Sequence, residues 1–341
     1  MTRIVFATQA VDPLDPALAA TIPMLRALAE RVDELVVLAD RAQAGVLPQN
    51  AHVDTFGART QLGRGLRFER ALISSLRPRP DAVVAHMVPR YVLLAAPLVR
   101  PQGIPLLLWY THWHAPRDLR VAEKLVTRVA SVDRRSFPLP SEKLVALGHG
   151  IDVAEFPCTE HPSANALHAL ALGRYSPAKG LETIVRALAL VPDVRLTVHG
   201  PTSNELERRH RAELARLVDG LQLVDRVRLN EAVPRADVPR LFAEADVLVN
   251  NMRAGAPDKA VYEACASCLP ALASNPVFDD VLEPELRFER EEPESVAAAL
   301  TAFAELGVEA RADLGRRLRS RVAERHSVAH WADGLLQAIR S

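Results

Sequence analysis

The chain has 341 residues, of which 49% are hydrophobic and 25% are charged. This composition excludes an intrinsically disordered protein, and the length predicts two domains, because a single core seldom grows to this size. The 42 Lys and Arg residues balance 42 Asp and Glu residues, which argues against nucleic acid as a partner. The apolar runs are too short to cross a bilayer, and the start lacks a long apolar segment. We therefore expect a cytoplasmic protein with peripheral membrane contact at most.

Short apolar runs alternate with helix-like stretches along the chain. In the first half, the strand-like runs are RIVFAT, ELVVLAD, AHVDTF, DAVVAHM, PLLLWYTH and KLVALGHG. In the second half, they are ALHALALGR, RLTVHGP, RVRLNEA, ADVLVNN, LPALASN and, with a weaker pattern, LRFERE. This alternation is typical of parallel sheets covered by helices. The sequence therefore predicts an α/β protein with two Rossmann-like domains.

A proline-containing stretch without apolar periodicity, residues 151–166, separates the two halves. We place the domains at residues 1–152 and 153–325. The segment 326–341 reads as an amphipathic helix that could pack on either domain, including back on the first. Parallel sheets bind ligands at the carboxyl ends of their strands, so the cleft between the domains is the predicted site.

The three cysteines are Cys158, Cys265 and Cys268, an odd number that cannot pair into a disulfide framework. Cys265 and Cys268 form a C-x-x-C motif, which also occurs in redox and zinc sites. However, no second pair of Cys or His stands at metal-binding spacing, and the motif lies late in a predicted helix. We interpret these cysteines as packing residues of a protein in a reducing compartment.

Two cations follow a strand in the stretch LALGRYSPAKGLETIVRAL. The strand ends at Gly173, Arg174 comes next, and Lys179 precedes an amphipathic helix. Cations at the carboxyl end of a strand, beside a helix amino terminus, can neutralise a diphosphate leaving group. A pair of surface cations that flank a loop is the alternative interpretation.

A second strand-to-helix turn lies in residues 250–275, NNMRAGAPDKAVYEACASCLPALASN. The run ADVLVNN reads as a buried strand, and KAVYEACASC reads as a helix. The turn RAGAPDK between them presents free backbone N–H groups and the positive end of a helix dipole. Such a turn suits a phosphate.

These motifs and their order resemble glycosyltransferase family 4. The motifs GR and KG open the second domain. They are followed by the stretches LTVHGP, RVRLNEAVPRADVPRLFAEADVLVNN and DKAVYEACASCLPALASN. The resemblance therefore covers about residues 165–280. It continues more weakly upstream in WYTHWH and LGHGIDVAEF. The resemblance implies the GT-B architecture, in which the parallel sheets of two Rossmann-like domains face a central cleft. In that family the second domain mainly holds the nucleotide-sugar donor, and the first mainly holds the acceptor.

The resemblance also implies roles for individual residues. Arg174 and Lys179 match the pair that binds the diphosphate. Glu263 matches the second Glu of the family's Glu-x7-Glu motif, which binds the ribose hydroxyls. His112 matches the His of the first domain that lies near the reacting sugar, with His114 as a competing candidate.

The chain departs from this pattern at Gly255, which stands eight residues before Glu263 in place of the first Glu. We therefore expect the sugar to contact Asp258, Lys259 or the backbone of the turn.

Contacts to the nucleobase are expected from the stretch NEAVPRAD, residues 230–237. Ala232 and Val233 lie where the family's loop touches the base through backbone groups. The sequence does not separate uracil from guanine, so a donor of the UDP type and one of the GDP type both remain.

Two basic stretches of the first domain are open to two interpretations. Arg64, Arg67 and Arg70 share a helix face, which could bind an acidic acceptor group or simply be solvated. Residues 117–137 could rest on an anionic membrane surface or be ordinary protein surface.

The predicted function is that of a retaining glycosyltransferase that moves a hexose-like sugar to a hydroxyl, or another nucleophile, of a small-molecule, glycan or lipid-linked acceptor. No metal ion and no cofactor are predicted, because Arg174, Lys179 and a helix amino terminus can balance the leaving-group charge. Retention is implied by the family alone. The alternatives are a GT-B nucleotide-sugar epimerase and a non-catalytic nucleotide-sugar-binding or scaffold protein of the same fold.

Overall fold

The computed structural model describes residues 1–15, 18–159 and 166–341. The chain divides into two compact units, the first comprising Met1–Asp152 and Arg325–Ser341 and the second comprising Val153–Glu324. Each unit is built around one parallel sheet. None of the described helices is both long enough and apolar enough to cross a membrane.

The first sheet has seven strands, all parallel to their neighbours. They are β1 (Arg3–Val11), β2 (Glu34–Ala42), β3 (Ala51–Thr55), β4 (Ala82–His86), β5 (Leu106–Trp109), β6 (Arg128–Ser131) and β7 (Leu144–Ala146). Their order across the sheet is β3-β2-β1-β4-β5-β6-β7. In register, Val5 of β1 lies between Val36 of β2 and Val83 of β4. The central strands β1 and β4 are mainly apolar, and nearly all of their residues are buried, as expected for strands covered on both faces.

Four helices follow strands of this sheet: α1 (Thr21–Ala29), α2 (Gln61–Ser75), α3 (Pro89–Val99) and α4 (Arg117–Leu125). The hydroxyl of Thr60 caps α2 by accepting a hydrogen bond from the Gly63 N–H at 3.1 Å. Pro89 occupies the first position of α3, where a backbone N–H would have no partner within the helix, so proline costs no hydrogen bond there. The helices α2, α3 and α4 begin after the carboxyl ends of β3, β4 and β5, so their first turns meet at the carboxyl edge of the sheet.

The second sheet has five parallel strands. They are β8 (Leu167–Leu172), β9 (Val194–His199), β10 (Val227–Asn230), β11 (Val247–Asn250) and β12 (Ala271–Ala273). Their order is β10-β9-β8-β11-β12. The predicted strand LRFERE is wrong, because Pro284 starts a 3₁₀ turn there and only a single bridge joins Arg287 to Ala273.

The remaining helices are α5 (Leu181–Leu188), α6 (Glu205–Gly220), α7 (Val238–Ala243), α8 (Lys259–Ala266), α9 (Pro293–Ala304), α10 (Val308–His326) and α11 (Val328–Arg340). The last helix, α11, belongs to the first unit. Its Trp331 is fully buried, and its ring packs edge-on against Phe6 and Trp109 at 6.4 and 5.8 Å between centroids. The chain end thus completes the core of the first unit.

A disulfide joins Cys158 to Cys268 within the second unit, with the Cα atoms 5.0 Å apart. Cys265 is a buried free thiol, and burial keeps its pKa above the usual range. The expectation that the cysteines form no disulfide is therefore wrong, and of the two residues of the C-x-x-C motif only Cys265 is an unpaired, buried packing residue. The bonded residues are 110 positions apart, a proximity that sequence spacing does not show. The cysteines consequently give no argument for a reducing compartment.

Candidate functional site

The loop after β8 brings Gly173, Arg174 and Lys179 to the carboxyl edge of the second sheet. Gly173 has φ +128°, and a Cβ at this position would collide with Lys179 Nζ. Glycine therefore allows the ammonium group to fold back over the backbone, where it donates a hydrogen bond to Leu172 O at 3.0 Å. Ser176 begins the 3₁₀ turn that carries Lys179, and Gly180 ends it in the left-handed conformation with φ +58°.

Lys179 forms an ion pair with Asp258, a residue 79 positions away in sequence. The two side chains are only 13% and 14% exposed. Asn250 Nδ2 donates a hydrogen bond of 2.7 Å to the same carboxylate, whose other oxygen caps α8 by accepting from the Ala260 N–H. Burial favours the neutral carboxyl group, but Lys179 and Asn250 outweigh it and hold the pKa of Asp258 below its usual range. This pair joins the turn after β8 to the turn after β11, so Lys179 is held rather than free on a solvent-exposed loop.

Arg174 remains accessible, with 61% of its side chain exposed. Its Nη1 donates a hydrogen bond to Glu207 Oε1 at 3.0 Å. Glu207 is buried and accepts a second hydrogen bond, from the Ser203 N–H at 2.7 Å. The carboxylate therefore orients the guanidinium group while leaving most of it open to solvent.

Glu263 of α8 is buried and bonded to Arg235, a residue for which the sequence indicated no role. Arg235 Nη1 donates to Glu263 Oε1 at 2.8 Å, and Nη2 donates to Glu155 Oε2 at 2.8 Å. The guanidinium carbon also lies 5.6 Å from the centre of the Phe156 ring. Burial alone would lower the pKa of Arg235, but the two carboxylates more than offset it. Arg235 thus fixes the carboxylate that is predicted to bind ribose.

Lys259 occupies the first position of α8 and is partly buried. Burial lowers its pKa to about 8, while Glu263 and Glu155 oppose that effect and Arg235 adds to it. No ion pair to Lys259 occurs within the described ranges 1–15, 18–159 and 166–341. An anion bound beside this ammonium group would therefore favour its charged form.

The turn between β11 and α8 contains Gly255, which has φ +76°. Asn275 Nδ2 donates hydrogen bonds of 2.9 Å to the carbonyl oxygens of Arg253 and Ala256, which hold the turn in place. This left-handed φ favours glycine at position 255, since a residue with a side chain would be strained there.

Ala232 and Val233 lie in the loop after β10, where Ala232 is exposed and Val233 is partly exposed. The loop starts at the carboxyl edge of the sheet, beside the end of β9. There Asn230 Nδ2 lies 3.2 Å from His199 Nε2, and burial lowers the pKa of His199. His199 was visible in the motif LTVHGP, but nothing in the sequence indicated its partners.

His112 and His114 lie in the first unit, in the loop after β5. The His112 N–H donates to Ser136 O at 3.0 Å, and its Nδ1 accepts from the His114 N–H at 2.9 Å. Since Nδ1 acts as an acceptor, the proton of the neutral ring lies on Nε2. His112 is thus held in one tautomer, while the ring of His114 is exposed.

Within the described part of the chain, one cluster has three potential metal ligands: Glu182, His210 and Glu213. His210 Nδ1 lies 3.7 Å from Glu182 Oε1 and 3.9 Å from Glu213 Oε2. These residues belong to α5 and α6, not to the turns that carry the predicted site residues.

The sequence of the second unit and the fold of the whole chain match known proteins. Residues 161–321, slightly less than half of the chain, match the family model described as glycosyl transferases group 1. No curated protein sequence matches the chain.

Three solved structures illustrate the similarity in fold. HepE from Anabaena in complex with UDP-glucose has 19% identity and a TM-score of 0.79, with 100% of both chains covered. Sucrose-phosphate synthase from Thermosynechococcus elongatus has 17% identity and a TM-score of 0.77, covering 100% of this chain and 98% of that one. A glycosyltransferase from Rickettsia africae has 12% identity and a TM-score of 0.79, covering 99% and 98%. The predicted fold class is confirmed: the chain has the GT-B fold, and its second half matches the group 1 glycosyl transferases.

Proposed function

We propose that this protein is a metal-independent, retaining glycosyltransferase that moves a sugar from a nucleoside diphosphate to an acceptor hydroxyl. The observation that carries the proposal is the arrangement at the carboxyl edge of the second sheet. Arg174, Lys179 and Lys259 lie there on two strand-to-helix turns that the Lys179–Asp258 ion pair holds together.

The charges of these side chains suit a departing diphosphate. When the bond between sugar and phosphate breaks, negative charge develops on the leaving phosphate, and fixed cations stabilise it. Arg174 is oriented by Glu207 and mostly exposed, and Lys259 lacks a direct carboxylate partner among the described residues. Backbone N–H groups at the start of α8 add partial positive charge. These groups support diphosphate binding without a metal ion.

The donor is proposed to lie with its ribose hydroxyls on Glu263, whose carboxylate Arg235 holds in place. Asp258 and the turn around Gly255 are the proposed contacts of the sugar, and the backbone of Ala232 and Val233 is the proposed contact of the base. The role of His112 near the reacting sugar, the retaining course and membership of family 4 rest on the family resemblance. UDP-sugars are the first donors to test because the Anabaena structure contains UDP-glucose, and GDP-sugars are the second.

The proposal is tested by incubating the protein with UDP-glucose, UDP-galactose and GDP-mannose, with and without a panel of small-molecule, glycan and lipid-linked acceptors. Mass spectrometry should detect a glycosylated acceptor and free nucleoside diphosphate, and the yield should be unchanged by EDTA. NMR of the product should show the anomeric configuration of the donor. Epimerised donor without acceptor would instead establish an epimerase, and binding without any product would establish a non-catalytic protein. An inverted anomeric configuration would refute retention.

A further inference from the structure

A groove with a volume of about 990 Å³ opens in the first unit between α2, α3 and the start of α4. Its walls include Leu62 and Leu66 of α2, and Leu93 and Leu94 of α3. Leu62 is 76% exposed and Leu66 is 59% exposed, one helical turn apart on the same face. A single exposed leucine is ordinary, but these two, together with Leu93 and Leu94, give a groove of this size an apolar wall that can cover the apolar part of a ligand.

Gly65 keeps the groove open. A Cβ at this position would have Leu94 Cδ1 as its nearest neighbour, at an ordinary contact distance of 3.9 Å, so the backbone does not require glycine here. Glycine inside a helix costs roughly 0.5–1 kcal/mol relative to alanine. The helix therefore carries a destabilising residue at the point where a side chain would enter the groove.

The groove lies at the carboxyl edge of the first sheet. It is formed by the first turns of helices that follow β3, β4 and β5, and its lining continues into the loop after β5 through His114, Ala115 and Pro116. His112, the residue proposed to act near the sugar, lies in the same loop. Ligands of open α/β sheets bind outside the carboxyl ends of the strands, so this position suits a substrate.

Charged groups stand at the rim of the apolar walls. Arg90 Nε lies 3.6 Å from Asp118 Oδ2, so these two charges largely balance. Arg117 and Glu69 also line the groove, and neither forms an ion pair within the residues that the structure describes. A ligand with an apolar body and a hydroxylated head can therefore bury the body against the leucines while its hydroxyl groups bind these two charged side chains.

We propose that the groove binds the aliphatic part of an amphiphilic acceptor, whose hydroxylated head lies toward the loop after β5. That the ligand is the acceptor rests on the proposed glycosyltransfer. The binding of an aliphatic chain with a polyhydroxylated head does not depend on the proposed glycosyltransfer.

The test is isothermal titration calorimetry of the full chain with decyl glucoside, below its critical micelle concentration, and with glucose. The wild-type protein should bind decyl glucoside and not glucose. Gly65→Leu fills the groove, and Leu66→Glu places a charge on its wall, so each should weaken binding of decyl glucoside by about tenfold or more. Ile73→Glu is the matched control, because Ile73 is 54% exposed on the same helix and does not line the groove. This variant should bind within about twofold of the wild-type protein.

Melting temperatures should first show that all three variants are folded. If Gly65→Leu is not folded, the comparison of Leu66→Glu with Ile73→Glu is sufficient for the test. Equal affinity in all variants would overturn the proposal, and so would a loss in Ile73→Glu as large as in Leu66→Glu, which would indicate general adsorption to an apolar or membrane-facing surface. Titration with UDP, UDP-glucose, GDP and GDP-mannose separates the two proposals. Groove-dependent binding of decyl glucoside without binding of any of these nucleotides would refute the proposed function alone. Binding of a nucleotide without groove-dependent binding of decyl glucoside would refute the groove alone.

Discussion

Binding of a nucleoside diphosphate at the turn before α8 should draw a proton onto Lys259. In the unliganded protein, burial lowers the pKa of this ammonium group to about 8, from a usual value of 10.5. An anion within a few ångströms favours the charged form and should return the pKa toward that usual value. The ligand and a proton therefore bind together in the pH range between the two values.

The size of this uptake follows from the two pKa values. At pH 8 about half of the unliganded molecules have a neutral Lys259, so binding should take up about 0.5 proton per ligand. At pH 6.5 almost all are already protonated, and the uptake should fall below about 0.1 proton. The phosphate groups of the nucleotide contribute little to the proton uptake at pH 8, because the second pKa of a phosphate ester is about 6 and these groups are already deprotonated.

The assay is titration calorimetry with UDP at pH 8, in HEPES and in Tris, two buffers whose enthalpies of ionisation differ and neither of which contains phosphate. The difference in observed heat gives the number of protons taken up. Lys259→Met removes the titrating group while keeping an unbranched side chain, so its uptake should vanish. Equal heats in both buffers for the wild-type protein, or the same uptake in Lys259→Met, would refute the assignment of Lys259 to the phosphate site.

Three further predictions concern neighbouring groups of the second unit. Glu263→Gln should weaken UDP and UDP-glucose equally, by about 1–3 kcal/mol in calorimetry, because it loses a charge-assisted hydrogen bond to ribose; a loss with UDP-glucose alone would instead assign Glu263 to the sugar. Asp258→Asn leaves the Lys179 ammonium group buried without its counter-charge and should lower the free energy of unfolding in urea by about 3–5 kcal/mol. A cost below about 1 kcal/mol would show that this pair is solvated. Cys158→Ala should lower the stability of the oxidised protein by about 2–4 kcal/mol, and the difference should disappear in dithiothreitol. Equal stability of the two oxidised proteins would contradict the disulfide.

Most of the fold could be predicted from the sequence because parallel strands buried on both faces have a strong local pattern. Runs such as ELVVLAD and ADVLVNN form β2 and β11. The failure at LRFERE has a local cause as well, since its apolar residues are too few and a proline precedes them. There the Arg287 side chain donates a hydrogen bond from Nε to the carbonyl oxygen of Ala273, and the pairing of the two segments stops at a single bridge.

The partners of the candidate site residues could not be predicted, because they are far apart in sequence. The bond between Asp258 and Lys179 joins residues 79 positions apart, and no local pattern indicated it. Arg235 lies in the stretch NEAVPRAD, whose predicted role was backbone contact to the base. Its bond to Glu263 depends on how the loop after β10 packs against α8. The only sequence feature that pointed to this bond was a basic residue, Arg235, in a loop of the same domain as Glu263, the predicted ribose-binding residue. That signal is weak, since most such charges are solvated.

The central claim, that the second unit binds a nucleoside diphosphate at the turns after β8 and β11, is tested most directly by thermal unfolding with UDP, GDP and ADP. A ligand that binds only the native protein at 100 times its dissociation constant stabilises it by about 2.7 kcal/mol. We predict that at least one of the three raises the melting temperature of the wild-type protein and has little effect on Arg174→Ala. The claim would be contradicted if none of the three changed the melting temperature, or if Arg174→Ala were stabilised as much as the wild-type protein.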